Sequence, residues 1–163
     1  IANRGYYYKP HVVRERKGAP LDTLYTNRRE SKINREHFEV TVEGMADAVT
    51  NGTCRRINME PHITVCGKTG TAENPHGADH SLFIGFAPKD NPKVAIAVIV
   101  ENGGFGATNA VPIGRLMLQK YLMGEIMDQD LYLEQAIAER VILPFIYKKN
   151  VLTSSNLSVD TPE

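Results

Sequence analysis

Three short apolar runs separated by turn residues fill the middle of this chain, and they limit its fold more than anything else in it. The first leads from about His62 through Ile63-Thr64-Val65-Cys66 into Thr71, and Asn74-Pro75-His76-Gly77 ends it. The second is Ser81-Leu82-Phe83-Ile84-Gly85-Phe86-Ala87, closed by Pro88, with Lys89-Asp90-Asn91-Pro92 as the next turn. The third, Val94 to Val100, is apolar on both faces, so it calls for cover on both sides. Parallel neighbours need a long crossover, and these turns are short. The expected arrangement is an antiparallel meander over 62–71, 81–88 and 94–100.

Helical patterns flank the meander. Asn34 is placed to cap a helix over Arg35 to Thr50, with Phe38, Val42, Met45, Ala46 and Val49 on one face. Asn51-Gly52 stops it, because glycine tolerates the left-handed backbone. After the third strand, Glu101-Asn102-Gly103-Gly104-Phe105-Gly106 is too glycine-rich for regular structure. Thr108 or Asn109 then caps a second helix with Pro112 in its first turn, Val111, Leu116, Met117 and Tyr121 turned inward, and an end near Gly124. A third amphipathic stretch, Leu131 to Ile142, stops at Pro144. Helices packed on an antiparallel sheet make the fold class α+β.

The first 32 residues carry less pattern. Ile1-Ala2-Asn3-Arg4-Gly5 reads as the end of a helix whose body would precede Ile1, with Gly5 as the glycine just past it. Tyr6-Tyr7-Tyr8 reads as packing beside a turn, and His11-Val12-Val13-Arg14 is strand-like. Residues 14–32 read as loop or hairpin. The chain opens on Ile1 rather than methionine, so it is expected to be a piece of something longer. Residues 1–147 are taken as part of one domain and the polar segment 148–163 as a disordered tail.

Composition narrows the function. The 163 residues suffice for one domain with a core, and the formal net charge of zero gives no case for nucleic acid. Residues 1–35 hold nine Lys/Arg against three acids, a basic segment read as solvated surface. The two cysteines, Cys54 and Cys66, have no zinc-type spacing and read as small apolar fillers, with a bridge possible only in an oxidising compartment. No apolar run approaches the roughly 18 residues of a membrane helix.

The chemistry sits at Cys66-Gly67-Lys68-Thr69-Gly70-Thr71-Ala72. A phosphate loop would need a glycine where His62 stands, and it would have to open a helix that Gly70, Pro75 and Gly77 forbid. The other candidate is the K-T-G edge strand of the serine acyl-transferases that react with penicillin. On such a strand Lys68 supplies a fixed positive charge, and Thr69 and Thr71 point their hydroxyls to one side, toward a substrate carboxylate. Gly70 leaves room for a substrate to lie along the backbone, and the Thr71 N–H serves as an oxyanion donor. His76 and His80 are read as turn histidines.

Gly67-Lys68-Thr69-Gly70-Thr71-Ala72-Glu73 resembles the third active-site motif of penicillin-binding proteins. The segments His80 to Pro88 and Val98 to Gly104 resemble the penicillin-binding protein 2 family, the elongation-type class B D,D-transpeptidases. Ala2-Asn3-Arg4-Gly5 with Lys9-Pro10-His11 is similar to the stretch after that family's second motif. The likeness spans residues 1–123 in matching order. It implies an incomplete transpeptidase fold whose missing N-terminal half belongs to the same domain. The implied parent is a membrane-anchored periplasmic enzyme that cross-links peptidoglycan stem peptides of the D-Ala-D-Ala type through an acyl-serine and is acylated by β-lactams. It also implies a membrane glycan polymerase as partner, with no metal or cofactor.

Two family motifs are not found in place. No serine has a lysine three residues on, so the S-x-x-K nucleophile segment is absent from 1–163. Ser154-Ser155-Asn156 fits S-x-N but follows K-T-G, the wrong order, and Tyr25-Thr26-Asn27 falls beyond the second motif. The chain is therefore expected to be inactive alone. Two other functions stay open at this point, a penicillin-sensing module without turnover and a piece of a serine β-lactamase.

Overall fold

The structure is a computed structural model that describes residues 1–13 and 18–142. The expected meander is present: strands β3 (Cys66–Ala72), β4 (His80–Ala87) and β5 (Val94–Val100) pair antiparallel in the order β3-β4-β5. Register runs Cys66 with Phe86, Thr69 with Phe83 and Thr71 with Ser81, then Phe83 with Val98. A second, two-stranded sheet joins β1 (Tyr6–Tyr7) to β2 (Arg29–Glu30). Between them lies a one-turn helix, α1 (Thr23–Thr26), started by Asp22, whose carboxylate accepts from the Leu24 N–H at 2.8 Å.

The register divides the sheet residues cleanly. Val65, Phe83, Ala87 and Val98 share one face, which packs with Ala110, Val111 and Leu118 of α3 (Ala110–Met123) and with Ile57 and Met59 of the loop before β3. This is the main core. Its close fit at Phe83 depends on glycines: a Cβ at Gly67 would lie 2.5 Å from the Phe83 ring, and one at Gly114 2.8 Å. On the opposite face only one end is covered, where Cys66 and Phe86 meet Val42 and Met45 of α2 (Arg35–Thr50). Ile84 and Ile99 on that face stay 48% and 66% exposed. Cover on both sides of β5, expected from its composition, is thus met on one side only among the described residues.

Helix α2 has the expected bounds, but the Asn34 side chain makes no capping bond and Gly52 does not take the left-handed backbone expected at the stop; it packs against Ala48 instead. The first strand is shorter than 62–71. The His62 and Ile63 N–H groups both donate to the Met59 carbonyl, at 2.9 and 3.2 Å, so those residues close a turn before the strand starts. In α3, Val111 and Leu116 are buried, but Met117 and Tyr121 are 55% and 66% exposed, against expectation. Arg115 and Gln119 take the inward positions instead. Arg115 donates to Asp130 at 2.8 Å and to the carbonyls of Arg56 and Asn58. Gln119 donates to the same carboxylate at 2.5 Å and accepts the Met127 N–H. A hydropathy pattern cannot see two polar side chains whose groups are all satisfied inside.

Helix α4 (Leu131–Ala138) is shorter than the expected 131–142 and buries no residue; Pro144 and the segment 148–163 lie outside the described residues. At the other end Gly5 has the positive φ expected of it, 112°, but follows a turn closed by Arg4 N–H to Ile1 C=O at 2.9 Å. Arg4 ties this segment down: it donates to Glu39 of α2 and, at 2.9 Å, to the Lys89 carbonyl in the β4–β5 turn. The strand near the N-terminus is Tyr6–Tyr7; residues 11–13 are not a strand, and Arg14 lies outside the described residues.

Candidate functional site

The K-T-G-T residues all lie on β3, which is an edge strand among the described residues. Period-two alternation puts Lys68 and Gly70 on the partly open face and Thr69 and Thr71 on the other, opposite Phe83 and Ser81. Both hydroxyls therefore share a face, as the sequence implies. The lysine does not share it. The Lys68 ammonium is exposed and curls along its own strand, donating to the Thr69 carbonyl at 2.8 Å.

The orientation of the backbone follows from Thr69. Its carbonyl is taken by Lys68, and its N–H is turned toward the thiol of Cys54, in the loop after α2. Groups of one residue point to the same edge of a strand and alternate residue by residue. Thr71, two residues on, aims its N–H at the same outer edge.

Cys54 lies under this end of the strand and is fully buried. Burial pushes its thiol up, against the Thr53 hydroxyl, the Thr69 amide, the Lys68 charge and the Thr69 hydroxyl, which pull it down. Cys66 is pushed up to about 11, again by burial, with Lys89 and Arg4 acting the other way. Both cysteines are free and belong to separate core clusters, one facing Phe83 and the other Phe86. They are fillers.

Two residues of the site escape a reading of the motif alone. Thr53 places its hydroxyl 2.7 Å from that of Thr69. Gly106 crosses the β3–β4 ladder at the motif's own glycine: a Cβ there would stand 2.5 Å from the Gly70 carbonyl and closer still to that of Leu82. The glycine cluster 103–106 was the available signal for the second. Thr53 had none beyond following a helix stop. Just below, the Ser81 hydroxyl donates to the Phe105 carbonyl and accepts the Ala110 N–H, both at 3.0 Å, and so ties the loop and α3 to β4.

The remaining candidates lie elsewhere. His80 is not a turn residue: it opens β4 opposite Ala72, and its Nδ1 accepts the Asn102 N–H at 3.1 Å. His76 is exposed. Tyr25 lies against His11, with ring centroids 4.9 Å apart and planes tilted by 44°, in the wall of a cavity of about 560 Å³ lined by residues from 9–13 and 19–25 and by none of β3. Its Y-x-N spacing therefore has no place at the motif strand. No helix among the described residues is long and apolar enough to cross a membrane.

An antiparallel meander with a K-T-G-T edge strand, backed by α3, is the arrangement expected of the penicillin-binding class of proteins. Residues 1–119 match the penicillin binding protein transpeptidase domain, and the chain belongs to that family. It is 33% identical over 144 residues to the peptidoglycan D,D-transpeptidase MrdA of Haemophilus influenzae, covering 75% of this chain and 22% of that protein. With MrdA of Acinetobacter baumannii it shares 38% over 128 residues, 67% of this chain and 19% of the relative. Among solved structures it resembles penicillin-binding protein 2 of Pseudomonas aeruginosa, with 30% identity and a TM-score of 0.65 over 78% of this chain and 29% of that one. Penicillin-binding protein A of Mycobacterium tuberculosis, solved as an imipenem acyl-enzyme complex, gives 32% identity and a TM-score of 0.58 over 74% and 28% of the two chains. The chain thus spans about a fifth of the length of the curated MrdA relatives.

Proposed function

We propose that this chain is the C-terminal part of the transpeptidase domain of a peptidoglycan D,D-transpeptidase. It contributes the substrate-binding strand and half of the oxyanion hole. The observation that supports this best is the Thr69 backbone, whose carbonyl and N–H both face away from β4. A stem peptide ending in D-Ala-D-Ala, or a β-lactam, can then add along the outer edge of β3 as one more strand. Gly70 leaves that approach free of a side chain, and Thr69 and Thr71 offer hydroxyl donors to the carboxylate. The Thr71 N–H meets the developing oxyanion, a contact of a kind contributing roughly 2.7–4 kcal/mol to transition-state binding. Lys68 adds positive charge where the ligand carboxylate and the nucleophile's proton relay converge.

The nucleophile itself comes from an S-x-x-K segment that residues 1–163 do not contain. Its serine attacks the penultimate D-Ala carbonyl and expels the terminal D-Ala, and an acceptor amine from a second stem peptide resolves the acyl-serine. The parent works without metal or cofactor. It sits in the bacterial cytoplasmic membrane with this domain on the periplasmic side, alongside a membrane glycan polymerase. Fluorescent penicillin tests the reading. The parent should carry a covalent label stable to denaturation, and the purified chain of residues 1–163 should carry none. A stable adduct on the chain alone would sink the claim that it is catalytically incomplete, and an unlabelled parent would sink the transpeptidase reading.

A further inference from the structure

We propose that Thr53 is a positioning residue for the anion-binding end of the motif strand: its hydroxyl, 2.7 Å from that of Thr69, holds Thr69 as the donor to a ligand carboxylate. This rests on the reading of Thr69 as a carboxylate-binding hydroxyl and adds to it a residue that lies off the strand. A threonine hydroxyl has one proton to give and two lone pairs, whereas a carboxylate only accepts. Once the ligand takes the Thr69 proton, Thr69 can pair with Thr53 only as acceptor. The proton order becomes Thr53 to Thr69 to carboxylate. Bonds aligned in this way polarise one another and strengthen the last of the chain.

The loop that carries Thr53 is built to hold it there. Gly52 folds back on α2 so tightly that a Cβ would lie 2.8 Å from the Ala48 Cα and 2.9 Å from the Ala48 oxygen. The Cys54 N–H donates to that same carbonyl at 2.9 Å, and the Cys54 side chain is fully buried in the main core with Ile57 and Phe83. Thr53 is thus fixed between two anchored neighbours. The loop meets Thr69 twice, hydroxyl to hydroxyl at Thr53 and backbone amide to thiol at Cys54. Thr53 itself is exposed, and the docked loop fixes its backbone so that the hydroxyl stands beside that of Thr69.

The test is a mutant cycle on the intact transpeptidase that carries this chain, reading the second-order rate of acylation by benzylpenicillin. Thr53→Val removes the hydroxyl at nearly constant shape and should slow acylation about threefold to tenfold, the scale of one hydrogen bond to a charged acceptor chain. Thr53→Ser should restore the rate. In a Thr69→Val background, Thr53→Val should cost nothing further, because the residue it acts through is gone. Wild-type rates in Thr53→Val, or an equal loss with Thr69 already replaced, would overturn the inference and leave the proposed function standing. A wild-type protein that benzylpenicillin does not acylate would overturn both.

Discussion

On one face of the sheet Phe83, Ala87, Val98 and Val65 vanish beneath α3 and the loop before β3. On the other, α2 covers only the end with Cys66 and Phe86, while Ile84 and Ile99 remain largely exposed. Both faces are written in the same apolar residue types, so hydropathy does not separate them. What separates them is the chain available to pack: α3 follows β5 and returns across the first face, and among the described residues only α2 reaches the second, at one end. The motif strand stands at the boundary, with Lys68 on the open side and Thr69 and Thr71 on the closed side. The closed face gives β3 a rigid backing. Its outer edge carries no neighbouring strand among the described residues.

Four measurements test this contrast. The largest effect should come from the closed face: Phe83→Ala is expected to destabilise by about 3–5 kcal/mol in urea unfolding, since the ring is fully buried and closely bounded. A loss under 1 kcal/mol would mean that α3 does not form the main core. Next comes the edge. Lys68→Ala in the parent should lower the penicillin acylation rate by about 10²–10³-fold with little change in melting temperature. An unchanged rate would take Lys68 out of the mechanism.

A smaller effect is expected at the covered end of the open face. Burial raises the Cys66 thiol from 9.0 to about 11, so the folded state favours the neutral form. Its contribution is complete below about pH 9, where the unfolded thiol is still protonated, and is lost as pH rises toward 11, a change of about 2–3 kcal/mol. Wild type minus Cys66→Ala stability should therefore shrink between pH 8 and pH 11, and a difference that stays flat with pH would contradict the burial. The smallest effect belongs to the exposed part of that face. Ile99→Ala should change the stability of the purified chain by no more than about 0.5 kcal/mol. A cost like that of Phe83→Ala would show that this face is covered after all.

Much of the fold was legible from local pattern. Helix α2 ran from Arg35 to Thr50 as its periodicity and its Asn-Gly stop required, and the meander followed from short turns between apolar runs. The inward face of α3 was not legible. Met117 and Tyr121 look like core residues, yet Arg115 and Gln119 hold the core positions because Asp130, eleven or more residues away, satisfies them. The site divides in the same way. Lys68, Thr69, Gly70 and Thr71 are adjacent in sequence and could be named from spacing, while Thr53 and Gly106 reach the strand only through the return of distant loops.

The motif, the strand that bears it and the absence of the nucleophile segment from residues 1–163 could be read from neighbouring residues alone. Which edge of that strand lacks a partner strand, which face is buried and which hydroxyl meets Thr69 were set by the folded chain. Those depend on contacts between segments far apart in the chain, and periodicity carries no information about which distant segment will arrive.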